Sequence, residues 1–314
     1  MTLDFNVLLN TVATMFIILI IGFAARKLGY IDDKCSKYLS NLIICIGQPF
    51  MIIDAIMSTK YSAENIRTAL VILALGTVVH AVTAVIARLA TLRFTDQDER
   101  RISEFGLLFA NCGFLGFPIL KSLLGDLGLF WGSFYVIVHN IVTWTYGMYV
   151  LGRVRSEIKI SPLKMVLNYG TTPCLVGLAL FLLRVSFPAP IASAVKYLGS
   201  LCTPLSMLIV GGLLATIPFK KLFTNLKIYY ICLIRLIVIP AAVIGLCLIV
   251  RLPADFSVFA AIMSALPSAS NASMFGERYD ISPGFAAHFV SMSTLLSSMT
   301  IPVMLWLAMR LFGV

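Results

Sequence analysis

Residues 109–118 read Phe109-Ala110-Asn111-Cys112-Gly113-Phe114-Leu115-Gly116-Phe117-Pro118, and residues 265–273 read Ala265-Leu266-Pro267-Ser268-Ala269-Ser270-Asn271-Ala272-Ser273. Each stretch lies inside an apolar run, and each is poor material for a continuous helix. Relative to alanine in a helix interior, glycine costs about 1 kcal/mol and proline about 3 kcal/mol. Proline also removes a backbone donor and drives the preceding residue out of helical geometry. Backbone freed inside a membrane has to face protein or a wet cavity, because hydrocarbon offers it no partner. The two stretches therefore predict two broken helices. Interrupted segments at corresponding places in two halves of a chain point to the binding site of a secondary transporter.

The surrounding composition agrees. Of 314 residues, 60% are hydrophobic and 12% are charged, against about 25% charged in an ordinary soluble domain. A soluble fold of this size cannot hide so much apolar surface. A soluble enzyme, a disordered tail and a nucleic-acid binder are excluded, and the chain reads as an all-α integral membrane protein. Ten charge-poor runs, at residues 5–25, 38–53, 68–87, 105–120, 127–152, 165–183, 197–219, 228–250, 256–276 and 281–309, are read as spans 1 to 10. The first follows Asp4 and ends in Arg26-Lys27 rather than at a small-residue cleavage site, so it is read as a span and not as a signal peptide. The net charge of +10 comes from basic residues scattered between the runs, a topology pattern rather than a nucleic-acid patch. Sixteen Lys and Arg fall on the odd-numbered connections and seven on the opposite side. The positive-inside rule then places the first set in the cytoplasm, in a multi-pass protein of the cell (plasma) membrane with both termini outside.

The basic connection at residues 152–164 divides the chain into a first repeat, 1–151, and a second, 165–314, of five spans each. An odd number of spans per half inverts the second half relative to the first. Prolines follow the same division: Pro49 in span 2 matches Pro204 in span 7 at an offset of 155, and Pro118 in span 4 matches Pro267 in span 9 at 149. The fold expected is ten transmembrane helices as two inverted five-helix repeats, with helices 4 and 9 broken.

Two half-helix N-termini meeting in the membrane present free N–H groups and positive dipole ends, a setting suited to a carboxylate. No acidic residue lies in either broken stretch. Asn111, Asn271, Ser268 and Ser270 are the candidate donors, and Gly113, Gly116, Pro118 and Pro267 shape the breaks. The competing reading, that small residues merely let helices pack closely, does not account for an asparagine beside each break. Asn140 in span 5 is a further substrate-facing candidate. His80 in span 3 and His139 in span 5 are candidates for proton coupling, or neutral rings bonded to nearby carbonyls. Asp54 reads as a helix-end residue or a partner for Lys60. Lys121 and Arg235 read as snorkelling side chains, with Lys121 also placed to attract an anion.

The helix 4 stretch, residues 267–272, Glu277-Arg278-Tyr279, Pro204-Leu205 and Ser293-Thr294-Leu295-Leu296-Ser297 together resemble the auxin efflux carrier family, specifically its bacterial permease-like members. The resemblance covers the whole chain. It implies the fold of bile-acid and sodium/proton transporters, with helices 4 and 9 crossing in a mobile domain that moves in elevator fashion. It also implies a scaffold of helices 1, 2, 6 and 7 that forms a homodimer through helices 2 and 7, and a small organic carboxylate as substrate. The motif of asparagine-flanked prolines in the plant exporters is not reproduced at helix 4, which speaks against indole-3-acetate. Alternative readings are a sensor or channel on the same fold and, least favoured, a membrane-embedded enzyme. For the last, neither HExxH nor GxGD occurs, no span holds paired aspartates, and His80, His139 and His288 lack ligand partners at helical spacing. The seven cysteines form no CxxC pair, and no metal or cofactor is expected.

Overall fold

A computed structural model describes residues 5–59, 61–158, 163, 167–168, 171–216 and 225–314. Lys60, Lys159, Lys164, Lys220 and Lys221, which entered the topology reading, lie outside the described residues, as does part of the 152–164 connection. The described residues form helices: α1 (Phe5–Lys27), α2 (Asp33–Met57), α3 (Ala63–Ala90), α4 (Gln97–Leu108), α5 (112–124), α6 (126–152), α7 (Thr171–Leu182), α8 (Ala189–Leu214), α9 (Leu226–Val250), α10 (Ala254–Ala265), α11 (Ser270–Arg278) and α12 (Pro283–Phe312). Among the described residues seven apolar stretches are long enough to cross a membrane: α2, α3, α8, α9, α12, Leu9–Lys27 within α1, and Cys112–Gly152, which joins α5 and α6. The last has 41 residues, which at 1.5 Å each would reach about 60 Å, roughly twice the hydrocarbon thickness. It reverses at Gly125, where φ is 64° and ψ is −148°. Gly128 and Gly132 then bring α6 against Leu120 and Phe117 of α5.

Caps and prolines explain most of the boundaries. Asp32, Ser62, Asp96 and Asn225 accept first-turn N–H bonds at the starts of α2, α3, α4 and α9. Within the helices, π-helical turns occupy Ile43–Gly47, Cys112–Gly116, Thr143–Gly147 and Ile234–Val238. Three of the four end two residues before a proline, at Pro49, Pro118 and Pro240. A proline takes the donor away from the carbonyl four residues earlier, and the widened turn absorbs the mismatch.

Packing sorts the helices into two groups. α1, α2, α7 and α8 lie against one another. Gly22 and Gly211 allow the main chains of α1 and α8 to touch, since a Cβ at either would land on the other helix's backbone. The other group gathers the remaining helices around α3, α6 and α12. At one end of that group Arg155 donates to Asp98 of α4 at 2.8 Å and to the Tyr279 carbonyl just after α11 at 3.1 Å. The fully buried carboxylate of Glu104 in α4 accepts from Arg101 at 2.7 Å and from Tyr146 at 3.1 Å. These bonds fix α4 and α11, whose inner ends frame the site.

Candidate functional site

α4 ends at Leu108, and α10 ends at Ala265. Beyond them the chain runs extended for a few residues in both places, and the two extended pieces pair with each other. Ala110 and Ser268 form an isolated antiparallel bridge; the Asn111 N–H donates to the Pro267 carbonyl, and the Ala269 N–H to the Phe109 carbonyl, each at 2.9 Å. Helix resumes immediately, at Cys112 behind Asn111 and at Ser270 behind Ala269. Two helix C-termini and two helix N-termini thus converge on one backbone pair. The two breaks read from the sequence are one crossing.

Side chains complete it. Asn111 is buried, and its Oδ1 accepts from the Phe114 N–H at 3.3 Å, capping α5, while its Nδ2 has no partner. Ser268 is fully buried with an unpartnered hydroxyl, and its N–H is held by the Ser293 Oγ of α12 at 3.2 Å. Asn140 is half-buried and its Nδ2 is likewise unpartnered. Ser270 and Asn271 occupy the first turn of α11, half-buried. Gly116 packs against Leu266, where a Cβ would come within 2.9 Å of the leucine Cδ1. At Gly113 a Cβ would stand 3.2 Å from the Gln48 Nε2 of α2. Pro267 sits in the break and holds Leu266 extended, at φ −65° and ψ 148°. Pro118 does not: it lies seven residues after Asn111, inside α5 and just past its π-helical turn. Polar atoms buried without partners are uncommon in native proteins and mark places where a ligand or water completes the bonding.

The helices of the first group reach this crossing through their own proline-marked turns. Gln48 precedes Pro49 and Thr203 precedes Pro204. Gln48 faces Gly113, and the Ser206 Oγ of α8 donates to the Phe114 carbonyl at 3.4 Å. Phe114 is the residue whose carbonyl Pro118 leaves without an N–H. Between the groups lies a cavity of about 670 Å³ lined by Asn10, Thr14, Asp54, Pro118, Lys121 and Lys196 among others. Lys121 is ion-paired with Asp126. Asp54 therefore faces this cavity and its lysines. Gln48, Thr203 and Ser206 were not singled out in the sequence; for Gln48 and Thr203 the available signal was a polar residue directly before Pro49 and Pro204, and Ser206 carried none.

Behind the crossing, His80 donates Nδ1–H to the Gly76 carbonyl at 2.7 Å, and its Nε2 lies 3.3 Å from the His139 Nδ1. The same His139 nitrogen is 3.7 Å from the Cys112 sulfur. In the neutral pair the His139 N–H donates to the His80 Nε2, a linked arrangement that the two separate histidine readings did not foresee. Arg235 corrects its reading outright. It does not snorkel: it is 1% exposed, the largest fully buried side chain among the described residues. Its Nη1 donates to the Leu107 carbonyl at 3.3 Å, while Nε and Nη2 have no partner. Among the described residues no group of three or more His, Cys, Asp and Glu is placed to hold a metal ion.

A membrane chain whose two broken helices cross at a bridge of extended backbone belongs to the class of membrane transport proteins. The chain is a member of the membrane transport protein family, whose model matches residues 7–165 and 153–305, the family its crossing motifs resemble. It is 23% identical to an uncharacterized transporter of Methanocaldococcus jannaschii, over 96% of this chain and 99% of the relative. It is also 23% identical to an uncharacterized transporter of Methanothermobacter thermautotrophicus, over 94% and 96%. A protein of Rhizobium meliloti named "Putative malonate transporter" is 21% identical over 94% of each chain.

Proposed function

We propose that this transporter is a secondary carrier of small organic carboxylates, which binds its substrate at the crossing. The observation that carries the proposal is the convergence of two half-helix N-termini on one bridge, with unpartnered buried polar atoms of Asn111 and Ser268 beside it. Helix N-termini and amide donors stabilise a carboxylate, and no acid interrupts either stretch. Asn140, Ser270 and Asn271 complete the substrate set. The lysines of the 670 Å³ cavity supply an approach path, and the name of the Rhizobium meliloti relative agrees with the substrate class.

The wider architecture in this proposal is ten spans as two inverted repeats, 1–151 and 165–314, joined by a cytoplasmic linker at 152–164. α1, α2, α7 and α8 form a scaffold that dimerises through α2 and α8, and the remaining helices move as an elevator in the plasma membrane with both termini outside. The linked pair His80 and His139 is the place for proton coupling. Counterflow of labelled mono- and dicarboxylates, malonate included, in proteoliposomes tests the carrier reading. Saturable counterflow of at least one acid is expected; passage that never saturates identifies a channel, and no movement of any acid defeats the proposal. Orientation is tested separately. Impermeant maleimide is expected to label Cys35 from the cytoplasmic side, and labelling from outside in right-side-out vesicles reverses the assignment.

A further inference from the structure

Arg235 has no function in the scheme above, yet it is the most costly side chain to place where it lies. It sits in the π-helical turn Ile234–Val238 of α9, and its guanidinium is wholly buried. It takes part in none of the ion pairs found among the described residues. Cys112, Tyr135, His80 and His139 lie around it, and none of these is a carboxylate. A buried charge without a partner is strongly destabilising, so something other than an acid must offset it.

Two things at this position carry negative charge. One is permanent: the Nη1 bond goes to the carbonyl of Leu107, the penultimate residue of α4, where the last carbonyls of the helix lose their helical partners and the negative dipole end falls. The other is transient: in the carrier reading, an anion arrives at the N-termini of α5, which begins three residues after α4 is left behind at Phe109, and of α11. We infer that Arg235 is the built-in cation of the crossing, compensating the C-terminal end of α4 and balancing the charge of the bound carboxylate, so that no metal cation has to enter with the substrate. The inference rests on the carboxylate reading. It also explains the choice of arginine: the guanidinium remains charged when buried, where a lysine readily loses its proton. The Nε and Nη2 donors left over stay available when the carboxylate arrives.

The test uses the full-length protein in detergent and binding of labelled malonate, with sodium, potassium or choline as the salt. Wild type is expected to bind equally well in all three, and Arg235→Lys more weakly than wild type in each, because a lysine buried there loses its proton. Arg235→Gln is expected to bind about 30-fold more weakly, within the range for loss of an interaction with a charged group. Arg235→Ala is expected to be weak in choline and to recover when millimolar guanidinium replaces it, a response to charge that a purely packing role would not give. Arg235→Gln that unfolds at the wild-type temperature and binds malonate with wild-type affinity overturns the inference. So does wild-type protein that binds malonate in sodium but not in choline, a result independent of any mutant's folding. Wild type that binds no malonate in any salt, and shows no counterflow of any acid, defeats the carboxylate reading itself and the inference with it.

Discussion

The two breaks look alike in sequence and are built differently. The second is made by proline: Pro267 forces Leu266 extended, and no side chain caps α11, whose N-cap position is Ala269. The first is made without one. The chain leaves the helix at Phe109, at φ −100° and ψ 118°, and re-enters at Asn111, whose side chain caps α5. What holds the first break open is the bridge to the second, two backbone bonds of 2.9 Å. One break is thus rigid by covalent structure and serves as the template for the other. An asparagine amide that caps with its oxygen keeps its nitrogen free, so Asn111 serves fold and ligand with opposite ends of one group, whereas Asn271 lies within the helix and has no capping duty.

That difference orders the expected effects of substitution. Asn111→Asp should be the most severe, since it preserves a capping oxygen but puts a negative charge where the carboxylate is proposed to sit. Loss of measurable malonate binding with near wild-type thermal stability is expected. Asn111→Ala should weaken binding roughly 10- to 100-fold, the equivalent of one hydrogen bond to a charged group, and should also lose about 1 kcal/mol of stability with the cap. Asn271→Ala should show the binding loss without the stability loss. Equal destabilisation by both alanines would break the comparison, and wild-type affinity in both folded proteins would sink the crossing as the substrate site.

The prolines come next. Pro267→Ala should cut transport by about tenfold, because removing the restriction on Leu266 lets α10 run on toward α11 and withdraws the partner of Asn111. Pro118→Ala should change transport by no more than about twofold, since the break upstream of it persists on the Pro267 side of the bridge. A larger loss at Pro118 than at Pro267 in a proteoliposome assay would reverse the assignment of template and copy.

This asymmetry marks how far the sequence could be read. Apolar runs are a one-dimensional signal, and the all-helical membrane class followed from them; the two broken stretches followed from their glycines and prolines, and the family from the resemblance of the motifs those stretches carry. The break at Pro267 was legible because proline acts on its immediate neighbour. At the other stretch the eye is drawn to Pro118, while the departure occurs at Phe109 to Asn111, because there the determining bond is to Pro267, more than 150 residues away. Arg235 was misread on the same grounds. Snorkelling is the sensible prior for a cation in an apolar run, and only the carbonyl of Leu107, from another helix, reveals an interior position. The histidines were legible as suspects and not as a pair, since the spacing between residues 80 and 139 says nothing about contact.

The smallest expected effect probes a bond that ties the first break to α8. Pro118 deprives the Phe114 carbonyl of an N–H, and the Ser206 hydroxyl donates to it at 3.4 Å while also donating to the Thr203 carbonyl at 2.9 Å. One proton shared between two acceptors gives a weak bond, so Ser206→Ala should cost about 0.5 kcal/mol of stability, at the low end for a hydrogen bond in a protein. In a Pro118→Ala background the restored N–H of residue 118 can satisfy Phe114 itself, and Ser206→Ala should then cost close to nothing. The second break has no such partner from the α1, α2, α7 and α8 group among the described bonds, so its stability should be indifferent to Ser206. A double-mutant cycle read by thermal unfolding isolates the coupling. If Ser206→Ala costs the same with proline or alanine at position 118, the serine is not filling the vacancy that Pro118 leaves, and the link between α8 and the first break has to be sought at Gln48 and Gly113 instead.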